Sequence, residues 1–364
     1  MQVNQFPINF SYRNFQEITP DRIASAVSKA GVDLPFYALA TPIPRNGDVV
    51  LARVREVNPA YPILEEGNGK GVVLQGGELI AGVLGARKAL RGFSGRLPAR
   101  LQKGMPLHLL NKGGVIGECT AFNRELGWPT QLEYIGNVYR EGHSLNLDEN
   151  ALPFIEGPLP EIPVIMVMGT CMNAGKTSVC KQIVKLFAEK GFTVNAGKVA
   201  GVACLQDTIA MQECGAKKVA SFLDFGLSST TEIPTLSPVA RSLIHHLADP
   251  EPDFIVLEMG DGILGGYNVA SLFDDNDFMS RSLCTILCAN DLMGVWGSLQ
   301  WMAQHGKVQQ AQRPHLISGP VTDSSEGIEY IEENWRIPAA NAFDSSGKIC
   351  TIVLESLMPW LELE

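Results

Sequence analysis

The stretch Gly169-Thr170-Cys171-Met172-Asn173-Ala174-Gly175-Lys176-Thr177-Ser178 holds residue types suited to gripping a polyphosphate. Gly175 lets a backbone come close to an anion. Lys176 can reach terminal phosphates, and the Thr177 hydroxyl can ligate Mg²⁺. Five residues separate Gly169 from Gly175, and Thr170 stands where the common pattern has its first glycine. Cys171 lies inside the loop, either as a small residue fitted to the turn or as a thiol activated by the helix start.

Acidic groups follow at the right kind of place. "FIVLEMGDG" puts Glu258 at the end of an apolar run, with Asp261 just after it. "GKVAGVACLQDTIA" puts Lys198 at the end of another run and Asp207 at the start of a helix. Magnesium prefers oxygen ligands, commonly one or two carboxylates, a hydroxyl and water. Thr177 and Glu258 fit those roles, with Asp261 as a spare or supporting group. Asp207 reads either as a helix cap or as a ligand for Mg²⁺ or a substrate amine. Lys198 would aim its charge into a ligand crevice as a substrate or phosphate contact. Ser318 to Asp323 either line a pocket or begin a helix capped by Asp323 or Ser324.

These residues need elements to position them. Residues 164–169 read as a buried strand, and about 176–189 as the helix that follows the loop. Free N–H groups and the helix dipole at such a start attract phosphate oxygens. Further apolar runs alternate with helical stretches: "FTVNAGK", "FIVLEMG", "LCTILCAN", "HLISGP" and "AANAF". That rhythm predicts an α/β fold, a mostly parallel sheet with helices on both faces. Ligands of such sheets sit at the carboxyl ends of the strands. Cys284 and Cys288 read as buried small hydrophobes. His245 and His246 suit a helix C-terminus.

The texture before residue 150 differs. Short β-rich runs broken by glycine turns predict a small barrel-like domain. "DRIASAVSKAGV" reads as a short helix ending at Gly31. Residues 151–163 carry four prolines in thirteen residues and read as a stiff connector. The expected division is 1–150, a linker at 151–163, and 164–364. Basic residues gather at Arg87, Lys88, Arg91, Arg96 and Arg100, either to meet an anion or as an ordinary balanced surface.

The loop Gly-Thr-x-x-x-x-Gly-Lys-Thr resembles that of the dethiobiotin synthetase-like, SIMIBI branch of P-loop NTPases, over roughly residues 162–265. The chain also resembles bacterial P-loop proteins with an extra N-terminal domain, related to the DUF1611 set. The resemblance implies ATP and Mg²⁺ as cofactors, with nucleotide contacts from Gly169, Thr170 and Asn173 to Ser178. It further implies Lys176 and Lys198 as catalytic groups, a metal site drawn from Thr177, Glu258, Asp207 and Asp261, and a homodimer as an open expectation. The early-loop lysine of MinD-like ATPases is missing. So is the Asn-Lys-x-Asp of guanine-specific proteins, which favours ATP over GTP. The expected activity is a kinase or ligase acting on a small molecule. The alternative is a nucleotide-dependent regulator of a protein partner.

Bulk numbers set the frame. The chain has 364 residues, 45% hydrophobic and 19% charged, with a net charge of −10. That fills a core and argues against a broad nucleic-acid face. Residues 1–20 lack a basic start followed by an apolar stretch, and no run suits a membrane helix. Eight irregularly spaced cysteines predict a reducing, cytoplasmic setting.

Overall fold

The computed structural model describes residues 16–31, 36–39, 43–140, 143–344 and 347–361. Most of the stretch read for a targeting signal lies outside the described residues.

The front part closes on itself. Its ring strands are β1 (Val49–Glu56), β2 (Leu79–Leu84), β3 (Pro106–Leu109), β4 (Val115–Phe122) and β5 (Gln131–Arg140). β1 pairs antiparallel with β2 and β5, and β3 pairs antiparallel with β4 and β5. A parallel β2–β4 pairing completes the circuit. A hairpin, Ile63–Glu65 with Gly71–Val73, stands outside it. The short helix read before Gly31 is a 3-10 helix, Ser25–Ala30. Gly31 ends it with φ 63°, a left-handed conformation that costs glycine nothing.

Residues 151–163 hold no helix or strand, yet they are docked. The Leu152 N–H donates to the Asp224 carbonyl, the Ile155 N–H to Ser242 Oγ, and Leu159 and Ile162 are buried.

The parallel sheet consists of β6 (Val164–Gly169), β7 (Val194–Lys198), β8 (Val219–Ser221), β9 (Phe254–Gly262), β10 (Cys284–Cys288) and β11 (Leu316–Ser318). Their spatial order is β8-β7-β9-β6-β10-β11. The chain runs outward from β6 to β8, returns to β9, then crosses to β10 on the far side of β6. That reversal opens a crevice beyond the carboxyl ends of β6 and β9. β8 is a strand the sequence pattern did not reveal. "AANAF" contributes only a single bridge, Ala339 to Ile317, instead of a strand.

Alternation along the strands sends side chains to two faces. Ile165, Val167, Ala196, Val256 and Ile286 pack under α1 (Lys176–Glu189), α2 (Gln206–Glu213) and a C-terminal helix, Lys348–Leu361. Val164, Met166, Ile255, Leu257 and Leu287 face the other way. They meet the helices Ser237–Leu247 and Leu292–His305, within a cluster that runs without a break into barrel residues such as Leu51 and Ile80. Cys284 and Cys288 are fully buried, and burial pushes both thiols up to about 12. All eight cysteines are free. Among the described residues no helix is long and apolar enough to cross a membrane.

Candidate functional site

β6 ends at Gly169, and α1 begins at Lys176, as the sequence predicts. The turn between them needs left-handed backbone twice: at Asn173 (φ 59°), a residue type that tolerates it, and at Gly175 (φ 91°). Gly175 also sits against Gly319, where an added Cβ would come within 3.1 Å of the Gly319 Cα. Ala174 is fully buried. Lys176 reaches back across the turn and donates to the Cys171 carbonyl at 2.8 Å. Asn290, at the end of β10, donates to the Cys171 sulfur at 3.0 Å. Thr170 anchors the loop through its N–H to the Cys288 carbonyl.

The Thr177 hydroxyl stands between two carboxylates, 3.0 Å from Glu258 Oε1 and 3.3 Å from Asp207 Oδ1. A hydroxyl has one proton and can donate to only one of them at a time. The second contact calls for another proton or a cation. Glu258 Oε2 is buried and has no hydrogen-bond partner. Burial pushes the Glu258 carboxyl up to about 7, helped by the Asp207 charge and opposed by Lys198, Lys176 and the Thr177 hydroxyl. An orphaned buried oxygen, two converging carboxylates and a hydroxyl suit a hard, oxygen-preferring divalent ion. Among the described residues no cluster of three or more His, Cys, Asp or Glu makes a ready metal site, so water and ligand oxygens would have to complete the shell.

Asp207 lies at the second position of α2 and pairs with Lys198 Nζ. Burial pushes its carboxyl up, but the Lys198 charge and hydrogen bond outweigh that and hold it below its ordinary value. Burial pulls Lys198 down, and the Asp207 and Glu258 charges more than reverse the effect. Asp207 does not cap its helix. That role falls to Glu65, from the barrel side, which is 1% exposed. Glu65 accepts from the N–H groups of Leu205 at 2.7 Å and Gln206 at 3.2 Å, and from the Cys204 thiol at 2.9 Å.

Asp261 follows Glu258 by three residues, beyond a register shift in the β6–β9 pairing between Glu258 and Gly262, and it feels the Lys176 and Lys198 charges without lining the cavity. It lies against Gly265. Burial pushes its carboxyl up. Ser324 caps the helix Ser325–Trp335, and Asp323 accepts from Asn341, so "TDSSEG" is a helix start.

A cavity of about 420 Å³ gathers Asn173 to Ser178, Lys198, Asp207, Glu258 and Gly260. Gly169, Thr170, Asp261 and Ser318 to Asp323 do not line it. Tyr61, Arg87, Asn111 and Lys112 reach in from the barrel to close it, and of these the sequence marked only Arg87. Asn111 is tied across the gap, its Nδ2 donating to the Ala203 carbonyl at 2.7 Å. Of the five clustered basic residues only Arg87 is buried; Lys88, Arg91, Arg96 and Arg100 are exposed. The basic cluster was the one sequence signal for this wall.

No family profile and no curated protein matches the chain. Solved structures overlap it in part. The signal recognition particle receptor FtsY from Elizabethkingia anophelis is 13% identical, covers 56% of this chain and 68% of its own, and gives a TM-score of 0.37. FtsY from Thermotoga maritima is 19% identical, with 54% and 69% covered and a TM-score of 0.36. The 54 kDa signal recognition particle protein from Aeropyrum pernix, solved with GDP, is 12% identical, with 59% and 53% covered and a TM-score of 0.34. Overlap at this level assigns no function.

Proposed function

We propose that the cavity takes Mg-ATP on the loop from Gly169 to Ser178, and that the chain spends it on a small-molecule acceptor. The chemistry is phosphoryl transfer to that acceptor or activation of it, as in a kinase or an ATP-dependent ligase. One observation carries this reading: the Thr177 hydroxyl set between Glu258 and Asp207 beside Lys176, at the start of a helix. The N–H groups of Ala174 to Thr177 supply donors for phosphate oxygens. Lys176 offsets charge on the terminal phosphates. Thr177, Glu258 and Asp207 would hold Mg²⁺, which when bound neutralises phosphate charge. Lys198, steadied by Asp207, sits where the acceptor would meet the phosphates. Position and electrostatics are what phosphoryl transfer chiefly asks of a protein.

ATP is preferred because no Asn-Lys-x-Asp follows the later strands. The test is calorimetric titration of the chain with ATP and with GTP in Mg²⁺, then hydrolysis with and without a metabolite pool. ATP should bind, turnover should rise with the pool, and Lys176→Ala should lower turnover about 100-fold or more with the fold intact. Full activity in a folded Lys176→Ala protein would sink the assignment. Turnover that rises only with a protein partner would favour a regulatory NTPase instead.

A further inference from the structure

The cavity holds cations that the phosphate loop does not need. Its lining carries four cationic side chains, Arg87, Lys112, Lys176 and Lys198, against two carboxylates, Asp207 and Glu258. In a chain of net charge −10 that local excess is selective. Lys198 is paired with Asp207, and Lys176 is braced on the loop. Arg87 and Lys112 differ. Among the described residues neither makes an ion pair.

Arg87 is only 5% exposed. Its Nη1 donates to the Leu110 carbonyl, while its Nε is buried and without a partner. The Tyr267 hydroxyl shares a hydrogen bond with Arg87 and the Asp261 carboxylate feels its charge, but among the described residues no carboxylate reaches ion-pair distance. A buried guanidinium left without a direct counter-ion is costly, and the cost is offset when an anion joins it. Lys112 sits on the adjoining barrel turn, half-buried. Its backbone N–H donates to the Tyr61 hydroxyl at 3.3 Å, which leaves the hydroxyl's own proton for another acceptor. Its carbonyl accepts from the N–H of Glu65, the residue that caps α2. The turn is therefore fixed against the helix that carries Asp207. Guanidinium groups match the planar, two-oxygen edge of a carboxylate or phosphate, and an ammonium adds a point charge.

We propose that Arg87 and Lys112 form an oxyanion subsite on the barrel wall, which holds a carboxylate or phosphate group of the acceptor while the loop holds the nucleotide. This rests on the nucleotide reading above, because the loop must be taken by ATP for the barrel wall to face the acceptor.

The test uses the full chain loaded with Mg²⁺ and a non-hydrolysable ATP analogue. A panel of small carboxylates and phosphate monoesters, together with neutral and cationic analogues of the same skeletons, is screened by thermal shift and the hits are titrated by calorimetry. Hits should be confined to the anions, and whether carboxylates or phosphates give them identifies the group. Lys112→Met should weaken those hits about 10- to 100-fold, the worth of a charge-assisted contact, while the analogue's affinity moves by less than about threefold. Arg87→Met should act alike, and if it fails to fold, Lys112→Met still decides. Neutral or cationic hits, no anionic hit, or anion binding unmoved by Lys112→Met would overturn the proposal. So would an equal loss of analogue and anion affinity, which would make these cations nucleotide contacts. If the analogue fails to bind the wild-type chain, the nucleotide reading falls, and the same panel on the unloaded protein, scored the same way, decides the subsite by itself.

Discussion

Around Thr177, one hydroxyl proton faces two carboxylates and Glu258 Oε2 has no partner, so the unit is left unsatisfied without a guest. Replacing Glu258 tests this. Glu258→Gln should bind ATP in EDTA about as the wild type does, but should lose the roughly tenfold or greater gain that Mg²⁺ brings, read by titration with and without the metal. The same variant has a stability signature. In the fold the Glu258 carboxyl rises from 4.5 to about 7. It therefore binds a proton more tightly folded than unfolded, and its favourable contribution is lost as pH rises through that window. In EDTA, Glu258→Gln should be more stable than the wild type at pH 8, and the gap should close toward pH 5. Thermal melts across that range check it, and a gap that grew at low pH would contradict the buried-carboxyl picture. Thr177, Lys176 and Glu258 were legible in the sequence because each follows an apolar strand. Asp207 was ambiguous, since any carboxylate near a helix start can cap it. Only the fold shows that Glu65 has taken that role. Arg87 showed in the sequence only as one of a basic cluster, and Lys112 not at all, because their place in the cavity depends on contacts far away in sequence.

At the level of elements, α2 is the weak link between barrel and sheet. Its N-terminus has no side-chain cap from its own segment, and a carboxylate from a distant hairpin serves instead. Glu65→Gln keeps the size of the side chain but turns one acceptor into a donor facing N–H groups. It should cost about 1–3 kcal/mol in denaturant unfolding and lower turnover as Asp207 loses its support. Unchanged stability would mean that the cap is ornamental. The bounds of α1 were readable because a turn signal, an apolar strand and an amphipathic helix agree there. β8 escaped notice because three residues give no period to detect. "AANAF" misled for a related reason: alanine-rich apolar runs satisfy a strand pattern, but only Ala339 reaches its neighbour.

At the scale of the molecule, barrel and sheet share one apolar cluster, and the proline-rich stretch is laid along it. Composition changes at residue 150 suggested separate units joined by a spacer. Local texture reports such changes well, but it carries no information about packing between units. Calorimetry should therefore record one cooperative unfolding transition for the whole chain. A fragment beginning at residue 151 should be poorly soluble, since it bares Ala203, Ile209 and the apolar turn Phe222–Phe225, which lie against the front part. Two resolved transitions would show that the halves fold apart.

The parallel sheet stops on each flank at a strand of three residues, Val219–Ser221 on one side and Leu316–Ser318 on the other. Ala339 partly screens the second. So little unpaired backbone is left in a row that a neighbouring copy finds almost no template to extend. Those two flanks therefore need no bulky guards against edge-to-edge pairing, and the carboxyl ends of the strands remain free to serve the cavity.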